Sequence, residues 1–328
     1  MVLYNALFFL SLLRHEIQGI CVGEAGLIRI IGKNKSLLFA AVFMAAGAIS
    51  GCYRQTSPAR EVPSRTFTDD LGHSVRVPEK VDSVVSLAPN LTEIIFAVDA
   101  GEKLVGVTTF CNYPAEAKAI KKVSDTQKPN IETIIALKPQ VVFVSTASQL
   151  ESFTKTLAQQ EIAVFVTDPN SLDGIYNSIS KIGAIVGQAE KADKLIDRLK
   201  LRVANARGRI VYGSLPKVFV QVDKDSLYTI GKDSYITDVI TRAGGVSATA
   251  DLDTAYPKIS REAAIAMNPD VIVISESEGN RDLNEAFRNS PAVRNGKVFR
   301  INADLLSRPG PRIVDALEQI AEKLSSRE

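Results

Sequence analysis

Apolar residues recur along this chain with two periods. Unbroken apolar runs at 83–88, 104–108, 141–145 and 163–167 alternate with stretches at 91–98, near 131–137, 150–160 and 171–186. In these stretches apolar positions return every three or four residues. The first pattern predicts strands buried on both faces, the second amphipathic helices, and the alternation a parallel sheet covered on both sides. After residue 211 the scheme begins again, with strands at 218–222, 271–275 and 298–301 and helices at 235–242, 263–267, 282–288 and 312–324. Ahead of the first unit, 67–78 reads as a β-hairpin turning at 70–72.

Between the two units lies 189–211, in which Ala192, Leu195, Ile196, Leu199, Val203 and Ala206 form one apolar stripe opposite Lys, Asp and Arg. Gly187 before it and Gly208 near its end are natural breaks. Some 20 helical residues make a rod of roughly 30 Å, long enough to span two lobes. The units also match in sequence. The segment from Glu132 to Ser145 aligns without a gap on that from Glu262 to Ser275, with identities at Glu, Ile, Ala, Pro, Val and Ser. The expected fold class is therefore α/β: two Rossmann-like lobes with parallel sheets, 65–188 and 212–328, joined by one long spanning helix, 189–211. Ligands of such folds bind between domains and at the carboxyl ends of parallel strands.

Composition narrows the chemistry. The chain has 328 residues, 45% hydrophobic and 23% charged, with net charge +2, which gives no basic surface for nucleic acid. It contains only two histidines, His15 and His73, and three cysteines, Cys21, Cys52 and Cys111. A zinc site built from His and Cys is hard to assemble from these, and a hydrolase triad would depend on His73, which falls in the hairpin. No G-x-G-x-x-G or G-x-S-x-G follows a predicted strand. The expectation is a binding protein rather than an enzyme, with no cofactor and no resident metal.

The amino-terminal part reads as an address. Lys33-Asn34-Lys35 precedes an Ala-rich apolar run that ends at Ile49-Ser50-Gly51-Cys52, the layout of a signal peptide. The last four residues resemble the bacterial lipobox, which implies that Cys52 is lipidated and the chain held on a membrane. Residues 1–32 lie upstream of this complete signal and are expected to be an extension ahead of the true start. Residues 53–64, with Pro58 and Pro63, read as a tether. Cys111 is then the single thiol of the mature body and reads as structural.

Beyond these patterns, the stretches Ser86-Leu87-Ala88-Pro89-Asn90-Leu91-Thr92-Glu93, Val105-Gly106-Val107, Tyr113-Pro114, Asn130-Ile131-Glu132, Ala136-Leu137-Lys138-Pro139, Ser260-Arg261-Glu262 and Pro311-Arg312 resemble the class III periplasmic binding proteins of ABC importers. That group takes up cobalamin, haem and ferric siderophores, and the resemblance is greatest to its BtuF-like cobalamin-binding members. It runs from about Arg65 to the end of the chain. It implies a transported ligand, cobalamin, in the cleft between the lobes, and as partners an ABC permease with its ATPase. It also implies a periplasmic location on a lipid anchor, or the cell surface where there is no outer membrane. One glutamate per lobe docks onto the permease in that family, and the matching residues are Glu132 and Glu262, the same pair that heads the internal repeat.

For the ligand, the resemblance points to Phe110 before the Tyr-Pro motif and to the late loop Asp304, Leu305, Leu306, Ser307 and Arg308. Tyr228 and Tyr256 are further cleft aromatics. A flat macrocycle is held mainly by apolar and aromatic surface. Haem instead would use Tyr113, Tyr228 or Tyr256 as an axial ligand, and an anionic ferric siderophore would need Arg308 and Arg312.

Overall fold

Each apolar run becomes a strand of one of two parallel sheets. The computed structural model describes residues 63–124, 129–145, 151–207 and 215–325, and the side chains of 151 and 152 are left aside. These residues lie within one compact unit, Val62–Glu328. The expected signal segment and lipobox, with Cys52, lie outside the described residues. An antiparallel hairpin, β1 (Ser64–Thr68) and β2 (Ser74–Pro78), opens the fold. The first lobe follows with β3 (Val84–Ser86), α1 (Pro89–Ala97), β4 (Leu104–Thr108), β5 (Lys122–Ser124), α2 (Ile131–Ala136), β6 (Val141–Ser145), α3 (Glu151–Ala158), β7 (Ala163–Thr167) and α4 (Leu172–Ile185). Its strands are ordered β5-β4-β3-β6-β7 and all pair in parallel.

Helix α5 (Ala189–Arg207) leads to the second lobe. That lobe contains β8 (Lys217–Gln221), α6 (Tyr235–Arg242), β9 (Val246–Ser247), α7 (Arg261–Met267), β10 (Val271–Glu276), α8 (Pro291–Arg294), β11 (Val298–Asn302), α9 (Ala303–Leu306) and α10 (Ile313–Ser325). Here the parallel order is β11-β10-β8-β9. The central strands correspond: β3 lies between β4 and β6 as β8 lies between β9 and β10. The fold is α/β, two parallel-sheet lobes on one spanning helix.

Because neighbouring side chains on a strand point to opposite faces, each sheet feeds two cores. Val85, Val142, Val144 and Val164 pack under α2 and α3 in the first lobe, and Phe219, Ile272, Ile274 and Ala264 form the matching layer in the second. The alternate residues, Val84, Val141 and Phe143 on one side and Val218, Val220, Val271 and Val273 on the other, all belong to one continuous core. The stripe on α5, Ala192, Leu195, Ile196, Leu199, Val203 and Ala206, is buried in that same core. Arg202 on its polar side pairs with Asp315 (2.6 Å) and Glu318 (2.6 Å) of α10. The spanning helix is thus packed into both lobes rather than left free between them. Burying each large side chain there contributes roughly 1.5–3 kcal/mol.

The internal repeat persists in backbone detail. Asn130 caps α2 by accepting from Thr133 N–H (2.9 Å), and Ser260 caps α7 by accepting from Ala263 N–H (3.1 Å); such caps contribute about 1 kcal/mol. Each helix is followed by a left-handed residue ahead of a proline, Lys138 (φ 47°) before Pro139 and Asn268 (φ 45°) before Pro269. The next side chain anchors the start of a central strand. Gln140 Oε1 accepts from Asp82 and Ser83 N–H, and Asp270 Oδ2 accepts from Lys217 N–H.

Four local expectations are corrected. Residues 282–288 keep only one 3-10 turn, Glu285–Phe287, because Asn284 turns its side chain to the Lys224 carbonyl and to Ala286 N–H. Helix α1 starts at Pro89, two residues early, since proline suits the first helical turn. The last two corrections concern the late loop. Its segment 303–306 is helical, with Asn302 as the cap accepting from Asp304 N–H at 2.7 Å. Within it Leu306 is fully buried, so its side chain does not face a ligand as the resemblance implies, while Leu305 is half-buried and packs against the continuous core.

Candidate functional site

The carboxyl ends of both sheets carry loops that meet at one junction, and the residue at its centre is Glu93. It lies in the second turn of α1 and its side chain is 2% exposed. Every polar partner shown for it comes from the other lobe. Glu93 Oε1 accepts from Arg308 Nη1 (2.9 Å) and Arg312 Nη2 (2.5 Å), and Oε2 accepts from Arg312 Nε (2.9 Å). Arg308 Nη1 also donates to Asn112 Oδ1 (2.9 Å), and its Nη2 lies 2.6 Å from Asp304 Oδ1. Asn112 Nδ2 closes the ring by donating to Asp304 Oδ2 (3.3 Å). The Arg312 guanidinium lies over the ring of Tyr113, 4.0 Å from its centroid. The Glu93 carboxylate raises the already high pKa of Arg312. Asn90 Nδ2 donates to the Pro309 carbonyl (3.3 Å), beside Gly310. Two carboxylates, Glu93 and Asp304, thus balance two guanidiniums.

Exposed aromatic rings surround this junction. Among the described residues the exposed Phe and Tyr side chains are Phe110, Tyr113, Tyr228 and Tyr256. All four sit in loops that leave the carboxyl end of a strand: Phe110 and Tyr113 after β4, Tyr228 after β8 and Tyr256 after β9. The two loops of the second lobe are laced together. Thr229 N–H donates to the Pro257 carbonyl, Gly231 N–H to Ala255 and Lys232 N–H to Leu252, each at 3.0 Å. Gly231 is required for that approach, because a Cβ there would lie 2.1 Å from the Thr254 carbonyl oxygen. The Tyr256 hydroxyl interacts with that of Tyr235, whose phenol burial raises well above the ordinary range. Tyr235 in turn donates to the Leu306 carbonyl (3.0 Å), two residues before Arg308. The rings of the second lobe are therefore connected, through Tyr235 and α9, to the ring of ion pairs that holds Tyr113.

Of the residues expected at the ligand site, Phe110, Tyr228 and Tyr256 are exposed at the carboxyl edge, together with Ser307, while Asp304 and Arg308 form part of the ion-pair ring. Glu93, Asn112 and Tyr235 were not anticipated. A signal for Glu93 existed: a charged residue within one turn of Leu91, Ile94 and Ile95 in a short helix needs a partner if that helix is buried.

Glu132 and Glu262 are both exposed. Each lies in the first turn of its helix, and each helix runs back to the amino end of the parallel strand it feeds. Both carboxylates therefore sit at the carboxyl edge of their sheets, the edge that carries the aromatic loops. For Glu262, its own backbone N–H and the Ser260 hydroxyl hold the carboxyl below its usual range.

The comparisons with known proteins agree with this geometry. Residues 84–305 match the periplasmic binding protein family. The chain is 32% identical over 308 residues to an uncharacterised ABC transporter substrate-binding lipoprotein, YvrC, of Bacillus subtilis, covering 89% of this chain and 98% of the relative. It is 30% identical over 249 residues to the vitamin B12-binding protein of Vibrio cholerae, covering 75% and 90%. The crystal structure of the periplasmic vitamin B12-binding protein BtuF of Vibrio cholerae superposes with a TM-score of 0.66 at 29% identity, over 74% of this chain and 96% of that one. A possible iron-binding periplasmic solute-binding protein of Staphylococcus epidermidis also superposes at 0.66, with 27% identity over 75% and 99%. The chain belongs to the periplasmic binding protein family, a family of solute-binding proteins rather than enzymes, and has its class III fold.

Proposed function

We propose that this protein is the lipid-anchored substrate-binding component of an ABC importer, and that its cargo is cobalamin. The observation that carries the choice of cargo is the charge state of the junction. Arg308 and Arg312, the two cations an anionic chelate would seek there, are already committed to Glu93 and Asp304. What the cleft offers instead is the exposed faces of Phe110, Tyr113, Tyr228 and Tyr256. Such a surface suits a large macrocycle without net negative charge, bound by apolar contact and a few polar groups. The likeness to the vitamin B12-binding protein of Vibrio cholerae points the same way.

Capture is binding without chemistry. The ligand enters between the aromatic loops, and Glu132 and Glu262 at the same edge carry the loaded protein onto basic residues of the permease. Calorimetric titration of the purified protein with cyanocobalamin tests the cargo. One-to-one heat with micromolar or tighter affinity is expected. No heat at micromolar protein would overturn cobalamin, and a Soret band in the purified material would replace it with haem.

A further inference from the structure

Among the described residues the buried carboxylates are Asp69 and Glu93. Asp69 serves its own hairpin, accepting from the N–H groups of Leu71 (3.0 Å) and His73 (2.8 Å). Glu93 serves no local structure. Its partners lie 215 and 219 residues away, in the other lobe.

We infer that Glu93 is a positioning residue for the cleft: it fixes both arginines, and through them the Asn112–Tyr113 and 304–312 segments, before any ligand arrives. The geometry carries this directly. One carboxylate receives three charge-assisted bonds, which are stronger and more directional than neutral ones. Arg312 is gripped at two nitrogens, so its plane is set, and that plane is the surface on which the Tyr113 ring lies. Arg308 shares Nη1 between Glu93 and Asn112, so the loop that bears Phe110 and Tyr113 follows wherever Glu93 holds Arg308. Removing the charge of Glu93 leaves Arg308 with Asp304, whereas Arg312 loses the acid that orients it over Tyr113. Holding a site in its bound shape lowers the cost of binding, and Glu93 does so without touching the ligand.

This inference rests on the cleft being the ligand site, so the test has an arm that needs no ligand. Hydrogen–deuterium exchange of the unliganded full chain is compared between wild type and Glu93→Gln, well below the melting temperature of each. Exchange in peptides covering 109–114 and 303–312 is expected to rise at least tenfold, with α2 and α7 unchanged, and Glu93→Asp is expected to restore part of the protection. In the second arm, Glu93→Gln weakens cyanocobalamin binding at least tenfold. A residue that merely stabilised the fold would lower the melting temperature and leave both readouts as in wild type. Unchanged exchange in the two segments overturns the inference, as does faster exchange with undiminished affinity. If wild type itself fails to bind cyanocobalamin, the cargo assignment falls and the exchange arm alone decides the role of Glu93. Should Glu93→Gln fail to fold, Arg312→Gln removes the two-point grip while keeping the Glu93–Arg308 pair; it must then speed exchange around Tyr113, and unchanged exchange there overturns the inference.

Discussion

Two ion-pair ties join the lobes at different places among the described residues, and they differ in how much water reaches them. At the cleft, Glu93 is 2% exposed and its partners Arg308 and Arg312 are 10% and 19% exposed. Between α4 and α6, Arg242 (30% exposed) reaches Asp173 (69% exposed) at 2.7 Å and Asp238 at 3.0 Å, while Asp238 accepts from Leu172 N–H at 2.9 Å. The charges are of the same kind, but the consequences are not. A buried pair that loses one partner strands an uncompensated charge, whereas an exposed pair is replaced by water. The cleft side of the junction is therefore set by electrostatics. The α4–α6 side is held mainly by the apolar core it shares with α5, with the ion pair contributing orientation.

That contrast can be broken by substitution. The largest effect is expected for Glu93→Ala, which should cost about 3–5 kcal/mol in chemical denaturation; a cost no greater than that of Arg242→Ala would erase the distinction between the ties. Leu199→Ala, in the core that α5 shares with both lobes, should cost about 2–5 kcal/mol and retain one cooperative transition, since the lobes are packed as a unit. Two separate transitions would mean that the helix merely links them. Arg242→Ala should cost within about 1 kcal/mol, and high salt should shrink that difference further.

The smallest effect belongs to Tyr176 of α4. Among the described residues its buried hydroxyl has no hydrogen-bond partner, and burial pushes its phenol up from 10.0 to about 12. Tyr176→Phe should therefore be neutral or stabilising, by less than about 1 kcal/mol, at pH 7. The folded state holds this proton more tightly than the unfolded chain does. Its contribution is complete below pH 10 and is lost as pH rises from 10 towards 12, so the stability gap between wild type and Tyr176→Phe should change in that window and stay flat below it. Double replacement of Glu132 and Glu262 by Ala should leave the cyanocobalamin titration unchanged while abolishing uptake. Intact uptake would remove them from the permease interface.

Much of this was legible in the sequence, for identifiable reasons. The strands Leu104–Thr108, Val141–Ser145 and Ala163–Thr167 are largely apolar runs with most residues buried, and the sequence expectation coincides with the structure there. The edge strands Lys122–Ser124 and Val246–Ser247 are short and carry Lys and Ser, so neither period marks them. The repeat located both exposed glutamates because each copy is local. The ion-pair ring is not local. Nothing near Glu93 in sequence announces Arg308 and Arg312, and the short spacing that holds the two arginines, Arg308-Pro309-Gly310-Pro311-Arg312, reads equally well as a turn. The resemblance marks the late loop as ligand-facing, but the Asn302 cap winds 303–306 into a helix and turns Leu306 into the core.

The core shared through α5 and the ion pairs of Glu93 together set the spacing of the two lobes before a ligand arrives. That spacing is tested most directly by the electron–electron distance between spin labels at Ala136→Cys on α2 and Ala266→Cys on α7, both exposed positions, on a chain without other accessible thiols. A single narrow distribution that moves by less than about 2 Å on adding cyanocobalamin, and that broadens in Glu93→Gln, is the predicted result. A broad distribution in wild type, or a ligand-driven collapse well beyond that shift, would contradict it.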